Sequence, residues 1–145
     1  MAANMDILAL IPQRPPFVMV DELLAADAET ASAKYTVNPD NIFMKNGQLT
    51  EPALIEHIAQ TAAARIGYIY SRKGEPVPVG FIGAVQHLQV MDLPKAGQVL
   101  NTEISIKNQV FDVTIIAGKI FCNGHKIAEC EMKIFVQSTN KTTIQ

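Results

Sequence analysis

The sequence predicts an α+β protein in which one long helix lies against an antiparallel sheet, and three observations carry that expectation. In Pro52–Tyr70, Pro52, Ile55, Ala59, Ala62, Ile66 and Ile69 recur at helical spacing. Thr30–Val37 and Val99–Lys107 instead alternate with a period of two, as half-buried strands do. Asn123-Gly124 separates two further alternating runs and is a strong two-residue hairpin signal. The order is two strands, one helix of about six turns, then four strands, an α+β arrangement rather than alternating βαβ units. No repeat or linker interrupts the 145 residues, so 1–145 reads as a single domain able to bury roughly two-thirds of its unfolded surface.

The elements follow in order. Asn4 is placed to cap a short helix through Leu10, stopped before Pro12. Phe17–Leu24 reads as the first strand. In the second, Ala31, Ala33, Tyr35 and Val37 share one face and Thr30, Ser32, Lys34 and Thr36 the other. Asn38-Pro39-Asp40-Asn41 is a turn cluster, and Lys45–Leu49 reads as a short loop. Thr50 is placed to cap the long helix, with Pro52 in its first turn. Arg72-Lys73-Gly74 suits the helix end, since basic residues favour the C-terminal dipole and glycine the left-handed cap. The small side chains of Ala59, Ala62 and Ala63 are expected to let a curved sheet approach closely.

Four strands are expected after the helix. Pro78–Val90 is apolar and broken by Gly80 and Gly83. Val99–Lys107 turns Leu100, Thr102, Ile104 and Ile106 inward. Phe111–Cys122 and Lys126–Gln137 form the hairpin, the latter turning Ala128, Cys130, Met132, Ile134 and Val136 inward. That hairpin sets Cys122 opposite His125 and Cys130 opposite Ala117, so the two cysteines are too far apart to bridge. Residues 138–145 are polar and read as a loose tail.

Composition excludes several functional classes. A net charge of −2 without a Lys/Arg block leaves no nucleic-acid footprint. An acidic protein partner would need a local basic patch, for which Arg65, Arg72 and Lys73 are the candidates. No apolar run approaches membrane-spanning length and the first residues lack a signal-like h-region, so the expected location is cytoplasmic. No Cys/His cluster has zinc spacing, and neither a metal nor another cofactor is expected.

Glu56 is the candidate for chemistry. It lies about 100° round the helix from Ile55, on the shoulder of an otherwise apolar, alanine-rich segment, with Gln60 and Ala63 continuing its row. A carboxylate there is costly to desolvate unless partnered or used. The structural alternative is a boundary glutamate that reaches water.

Three segments resemble one family. Ile11-Pro-Gln-Arg-Pro-Pro-Phe17-Val-Met-Val-Asp21 is similar to an L-P-H-R-x-P-F-L-L-V-D run. Leu54-Ile-Glu56-His-Ile-Ala-Gln60 is similar to I-E-A-x-A-Q. Phe81-Ile-Gly83, followed by Pro94 and Gly97, is similar to the strand and turn that follow. These belong to the hotdog-fold 3-hydroxyacyl-(acyl carrier protein) dehydratases of the FabZ/FabA type. The resemblance implies a hotdog fold and a dimer, homo- or heteromeric with a related hotdog subunit, with acyl tunnels at the interface. The implied substrate is a carrier-bound thioester in fatty-acid or polyene-type biosynthesis. The family pairs a helix carboxylate of one subunit with a loop histidine of the other, because loss of the α-proton needs a base and departure of the β-hydroxyl an acid. On that match Glu56 is the catalytic acid, and Gln13, Phe17, Gln60, Phe81, Gly83 and His87 are candidate substrate-binding positions.

The family's histidine stands in a G-H-F-P-G loop before the helix; here Asn41–Glu51 is shorter and has none. The other family histidine, in the L-P-H-R run, is Gln13. A short loop of this kind resembles the dehydratase-like proteins of aryl-polyene and flexirubin-type pigment clusters. Of the three histidines, His57 points away from Glu56 by the helical step and reads as a surface or packing residue. His87 is a candidate tunnel residue, and His125 flanks a turn. Four readings stay open: a dehydratase using Glu56 alone or with His87, a non-catalytic partner subunit of a heteromeric dehydratase, a hotdog acyl thioesterase, and an acyl-binding module without chemistry.

Overall fold

The computed structural model describes residues 6–137. A 3-10 turn, Ile7–Ala9, precedes strands β1 (Glu22–Ala26) and β2 (Thr30–Thr36), a small hairpin of β3 (Met44–Lys45) and β4 (Gln48–Leu49), and helix α1 (Glu51–Arg72). Strands β5 (Val79–Val90), β6 (Val99–Val110), β7 (Val113–Cys122) and β8 (His125–Gln137) follow. The main sheet has the order β1-β2-β6-β7-β8-β5, and its neighbours all pair antiparallel. It curves around α1, giving the α+β hotdog arrangement expected from the sequence.

Alternation sets the core. Ala31, Ala33 and Tyr35 of β2, Leu100, Thr102 and Ile104 of β6, and Ala128, Cys130, Met132 and Ile134 of β8 all turn inward and are buried. The end of α1 is also as expected, with Lys73 as C-cap and Gly74 at φ 69°.

Other expectations are corrected. Asn4 and residues 138–145 lie outside the described residues. The short helix is a single 3-10 turn whose cap is Asp6, which accepts from the Leu8 N–H at 3.2 Å. The first strand begins at Glu22 rather than Phe17, because helix side chains take the backbone groups of Phe17–Met19: Gln60 bonds the Phe17 carbonyl and the Met19 N–H, and His57 the Met19 carbonyl. Lys45–Leu49 belongs to the β3–β4 hairpin, whose Asn46-Gly47 turn has positive φ at both positions, the same Asn-Gly signal as at 123–124. Thr50 occupies the N-cap, but its hydroxyl donates to the Phe43 carbonyl instead of capping a helix N–H. Cys130 faces Gly118, not Ala117, because a bulge at Ile120/Phe121 moves the register by one; Cys122 does face His125, and both thiols are free.

The largest correction concerns the face of α1. Its core-facing side carries Ala53, Leu54, His57, Ile58, Thr61 and Ala64; of the predicted stripe, Ala62 is buried while Ile55, Ala59, Ile66 and Ile69 are half-buried and Pro52 exposed. Internal hydrogen bonds let His57, Gln60 and Thr61 occupy core positions that apolarity alone would not assign. The close approaches also fall elsewhere. Gly67 lets the Leu10 backbone press onto the helix, and Gly118 receives Ile58. A Cβ at Gly67 would overlap the Leu10 carbonyl oxygen and sit 2.8 Å from its carbon. Gly67→Ala is therefore expected to lose about 1–3 kcal/mol through overpacking, despite alanine's better helix propensity. Thermal unfolding checks this; an unchanged or higher Tm would show that Leu10 yields freely.

Candidate active site

Helix, strap and sheet edge enclose a cavity of about 260 Å³. The helix contributes Glu56, Ala59, Ala62, Ala63 and Ile66. The strap before β1 contributes Leu10, Pro12 and Gln13, and the sheet adds Gly80, Phe81 and Ile82 of β5 with Ile134 of β8. The predicted apolar stripe thus faces a cavity at several positions, and the alanines expected to admit the sheet leave room in it. Ile66 and Pro78 also border a second hollow of about 560 Å³, lined further by Ile69, Tyr70 and Phe111. The two hollows therefore adjoin along the helix, the one beside Glu56 apolar and the one toward the helix C-terminus lined also by Arg65, Glu75, Gln109, Asp112 and Thr114.

Glu56 is the carboxylate of the first cavity. It is half-buried and has neither an ion pair nor a protein hydrogen bond among the described residues, and burial pushes its pKa above the ordinary glutamate value. This favours the protonated form that can donate. It lies in the second turn of α1, whose N1 is followed by Pro52.

His57 is one residue away but faces the core, fully buried. Its Nδ1–H donates to the Met19 carbonyl at 2.6 Å, and its Nε2 accepts from the Thr102 hydroxyl at 2.7 Å. Those partners fix the tautomer and occupy both nitrogens. Burial lowers its pKa to about 4, against the Met19 bond that favours the charged ring. It packs inside, as one of its two expected settings allowed; the surface setting is excluded. His87 is exposed on β5 at φ 56°, beside an irregularity at Gln86/Gln89, and His125 is exposed at the β7–β8 turn. Neither lines the cavity around Glu56.

The remaining candidates separate into two groups. Gln13 and Phe81 line the cavity with Glu56. Gln60, Phe17, Gly83 and His87 do not. The Gln60 amide is fully buried, its Oε1 accepting from the Met19 N–H at 2.7 Å and its Nε2 donating to the Phe17 carbonyl at 2.8 Å. Phe17 contributes that carbonyl, while its side chain is exposed. Gly83 has no room for a Cβ because the Phe135 ring lies across it. The walls that sequence reasoning did not single out, Leu10, Pro12, Ile82 and Ile134, carry no chemical signature beyond apolarity.

The basic candidates for partner contact are engaged internally. Arg65 holds the β1–β2 turn through the carbonyls of Asp27 and Ala28, at 2.9 and 2.7 Å. Arg72 donates to the Tyr68 hydroxyl, and Lys73 sits over the Tyr70 ring. No helix is long and apolar enough to cross a membrane among the described residues.

Comparison with known proteins agrees with this arrangement. Residues 5–145 match the ApeP-like family, described as ApeP dehydratase. The FabZ 3-hydroxyacyl-[acyl-carrier-protein] dehydratase of Ruminiclostridium cellulolyticum is 24% identical over 139 residues, covering 92% of this chain and 96% of that protein. Among solved structures, the dehydratase heterocomplex ApeI:P from Xenorhabdus doucetiae superposes with a TM-score of 0.87 at 17% identity, over 94% of each chain. A hypothetical thioesterase with coenzyme A from Streptococcus pneumoniae TIGR4 superposes with a TM-score of 0.66 at 12% identity, over 81% of this chain and 85% of that one. At such identities the superpositions speak to the fold.

Proposed function

The chain belongs to the ApeP-like dehydratase family, and on that premise we propose that it acts on 3-hydroxyacyl thioesters of acyl carrier protein as one half of a site completed by a related hotdog subunit. The observation that carries this reading is a protonatable carboxylate facing an apolar cavity from which all three histidines are absent. Glu56 gives its proton to the departing β-hydroxyl, which leaves as water. The α-proton goes to a base of the second subunit, and the electron pair it leaves forms the 2-enoyl double bond. The acyl chain lies along the apolar wall toward Ile66.

The sheet supports a second subunit at this place. Among the described residues β5 ends the sheet, pairs only with β8, and exposes Val79, Phe81, Ile82 and Leu88 along its twelve residues. Such an edge invites another strand. Phe81 and Ile82 also wall the cavity, so a subunit laid on β5 would reach the site beside Glu56. The heterocomplex from Xenorhabdus doucetiae offers a precedent for pairing two different dehydratase subunits.

The test is hydration of a trans-2-enoyl carrier thioester by the purified chain, by a histidine-bearing hotdog relative, and by the two together. Little activity from this chain alone and a rise of at least tenfold on mixing are expected. Full activity from the chain alone would overturn the shared site, and release of free thiol instead would assign the chain to thioester hydrolysis.

A further inference from the structure

The two hollows along α1 are divided at one place, and three stretches of chain agree on where. On the helix, Ala59 and Ala63 line the first hollow and Ile69 and Tyr70 the second. On β8, Ile134 lines the first and Val136 the second. On the chain entering β5, Gly80 and Ile82 line the first and Glu75 and Pro76 the second. Among the described residues only Ile66 and Pro78 line both.

That pair stands where the side chains change size. Ala62 and Ala63 lie one turn before Ile66 on the same side of the helix, and Gly80 lies two residues after Pro78 on the sheet side. The space between helix and sheet is therefore bounded by alanine and glycine beside Glu56, then by isoleucine and proline, and it opens again into the second hollow. Neither member of the pair yields easily. Pro78 is buried and its ring fixes φ, while Ile66 is half-buried and, being β-branched in a helix, is held to one strongly preferred rotamer. The second hollow also offers an alkyl chain less, since Arg65, Glu75, Gln109, Asp112 and Thr114 share its lining.

Taking the acyl-thioester reading above as given, we infer that Ile66 is the specificity-determining residue for acyl length, closing the apolar hollow against Pro78 and stopping longer chains there. Two measures locate the stop. Glu56 and Ile66 are ten residues apart on α1, about 15 Å along its axis. An extended alkyl chain covers that in about twelve bonds, at roughly a third of the extended peptide repeat per bond. The hollow of about 260 Å³ holds about nine methylenes, if each fills roughly the 30 Å³ of a liquid water. The stop thus falls roughly nine to twelve carbons beyond the one that bears the hydroxyl. Shorter chains end inside the first hollow and do not meet Ile66.

Binding as a function of chain length tests this. The probes are saturated acyl-pantetheine thioesters of six, ten, fourteen and eighteen carbons, kept below their micelle concentrations. They are titrated against the folded protein, together with its partner subunit where one is required. Wild-type affinity is expected to rise with each added carbon, by up to about fourfold per methylene at full burial. It should then level off, the eighteen-carbon probe binding within about twofold of the fourteen-carbon one. Ile66→Ala is expected to move that plateau outward, so that eighteen carbons bind at least fivefold more tightly than fourteen. Ile66→Phe is expected to move it inward, weakening both long probes at least fivefold. Neither variant should change the six-carbon affinity. An unbroken rise through eighteen carbons in wild type overturns the inference, as does a plateau that stays in place in the variants. Equal weakening of every probe would make Ile66 a wall and overturns it too. Should wild type bind none of the probes at a normal Tm, the acyl-thioester reading itself falls and this one with it. If one variant fails to fold, the other still decides, because the two displace the plateau in opposite directions.

Discussion

Glu56→Gln is expected to lower dehydration of a 3-hydroxyacyl carrier thioester by about 10²–10⁴-fold in the assembled, active protein, with the fold intact. Glutamine matches glutamate in size and keeps a polar tip, but it has no acid proton to give. Because Glu56 makes no ion pair or protein hydrogen bond among the described residues, the substitution breaks no contact that holds the helix. Stability should move slightly the other way. Burial raises the folded-state pKa above that of the unfolded chain, so ionised Glu56 is a liability that grows as pH rises from its unfolded value through its folded one. The glutamine variant should therefore be no less stable at neutral pH. The same raised pKa sets the wild-type rate profile: activity falls as pH rises through it, and the residual activity of Glu56→Gln lacks that limb. Measuring kcat/KM across pH with Tm in parallel checks both. A variant within threefold of wild type would remove Glu56 from the chemistry.

Periodicity revealed the strands that alternate and failed where polar side chains had taken core positions. In β2, β6 and β8 a single buried face leaves one admissible register, and the inward residues could be read directly. In α1 the apolar stripe was real but turned toward a cavity, because the buried positions include His57 and Gln60, whose burial depends on partners distant in sequence, Met19, Thr102 and Phe17, and Thr61, whose hydroxyl donates to the His57 carbonyl one turn back. No local pattern encodes those partners. The same bonds explain why Phe17–Met19 is extended chain held by a helix and not a strand. Glu56 was legible because a carboxylate among alanines is anomalous on any helix. Gln13 was legible only as a substitution within a recognisable run; that it lines the cavity with Glu56 needed coordinates. The absence of a histidine beside Glu56 was visible in the shortened Asn41–Glu51 segment, and the structure adds that none of the three histidines returns to the cavity from elsewhere.

The second large effect concerns the histidine that does no chemistry. Replacing His57 by leucine, of similar volume, strands the Met19 carbonyl and the Thr102 hydroxyl in a dry core. Each unsatisfied buried group costs about 1–3 kcal/mol, so a loss on the order of 3 kcal/mol is expected at pH 7. Denaturant unfolding is the measurement, and Thr102→Val in the leucine background should recover part of the loss by removing one orphan. The pH dependence makes the assignment specific. The unfolded histidine titrates near 6.5, whereas the buried ring is held neutral down to about 4. Between those values the unfolded chain binds a proton that the native state refuses, so native stability declines as pH falls from about 6.5 to 4 and is independent of this residue outside that window. Across the full 2.5-unit gap the decline is about 3 kcal/mol, at 1.36 kcal/mol per unit. The leucine variant has nothing to titrate there. Wild type and variant should thus differ most at pH 7 and converge as pH approaches 4.5, a pattern no loss of packing alone would produce. A gap that stayed constant across that range would mean that His57 is already charged in the native protein, and the clamp on the Met19 strap would then have to be an ionic one.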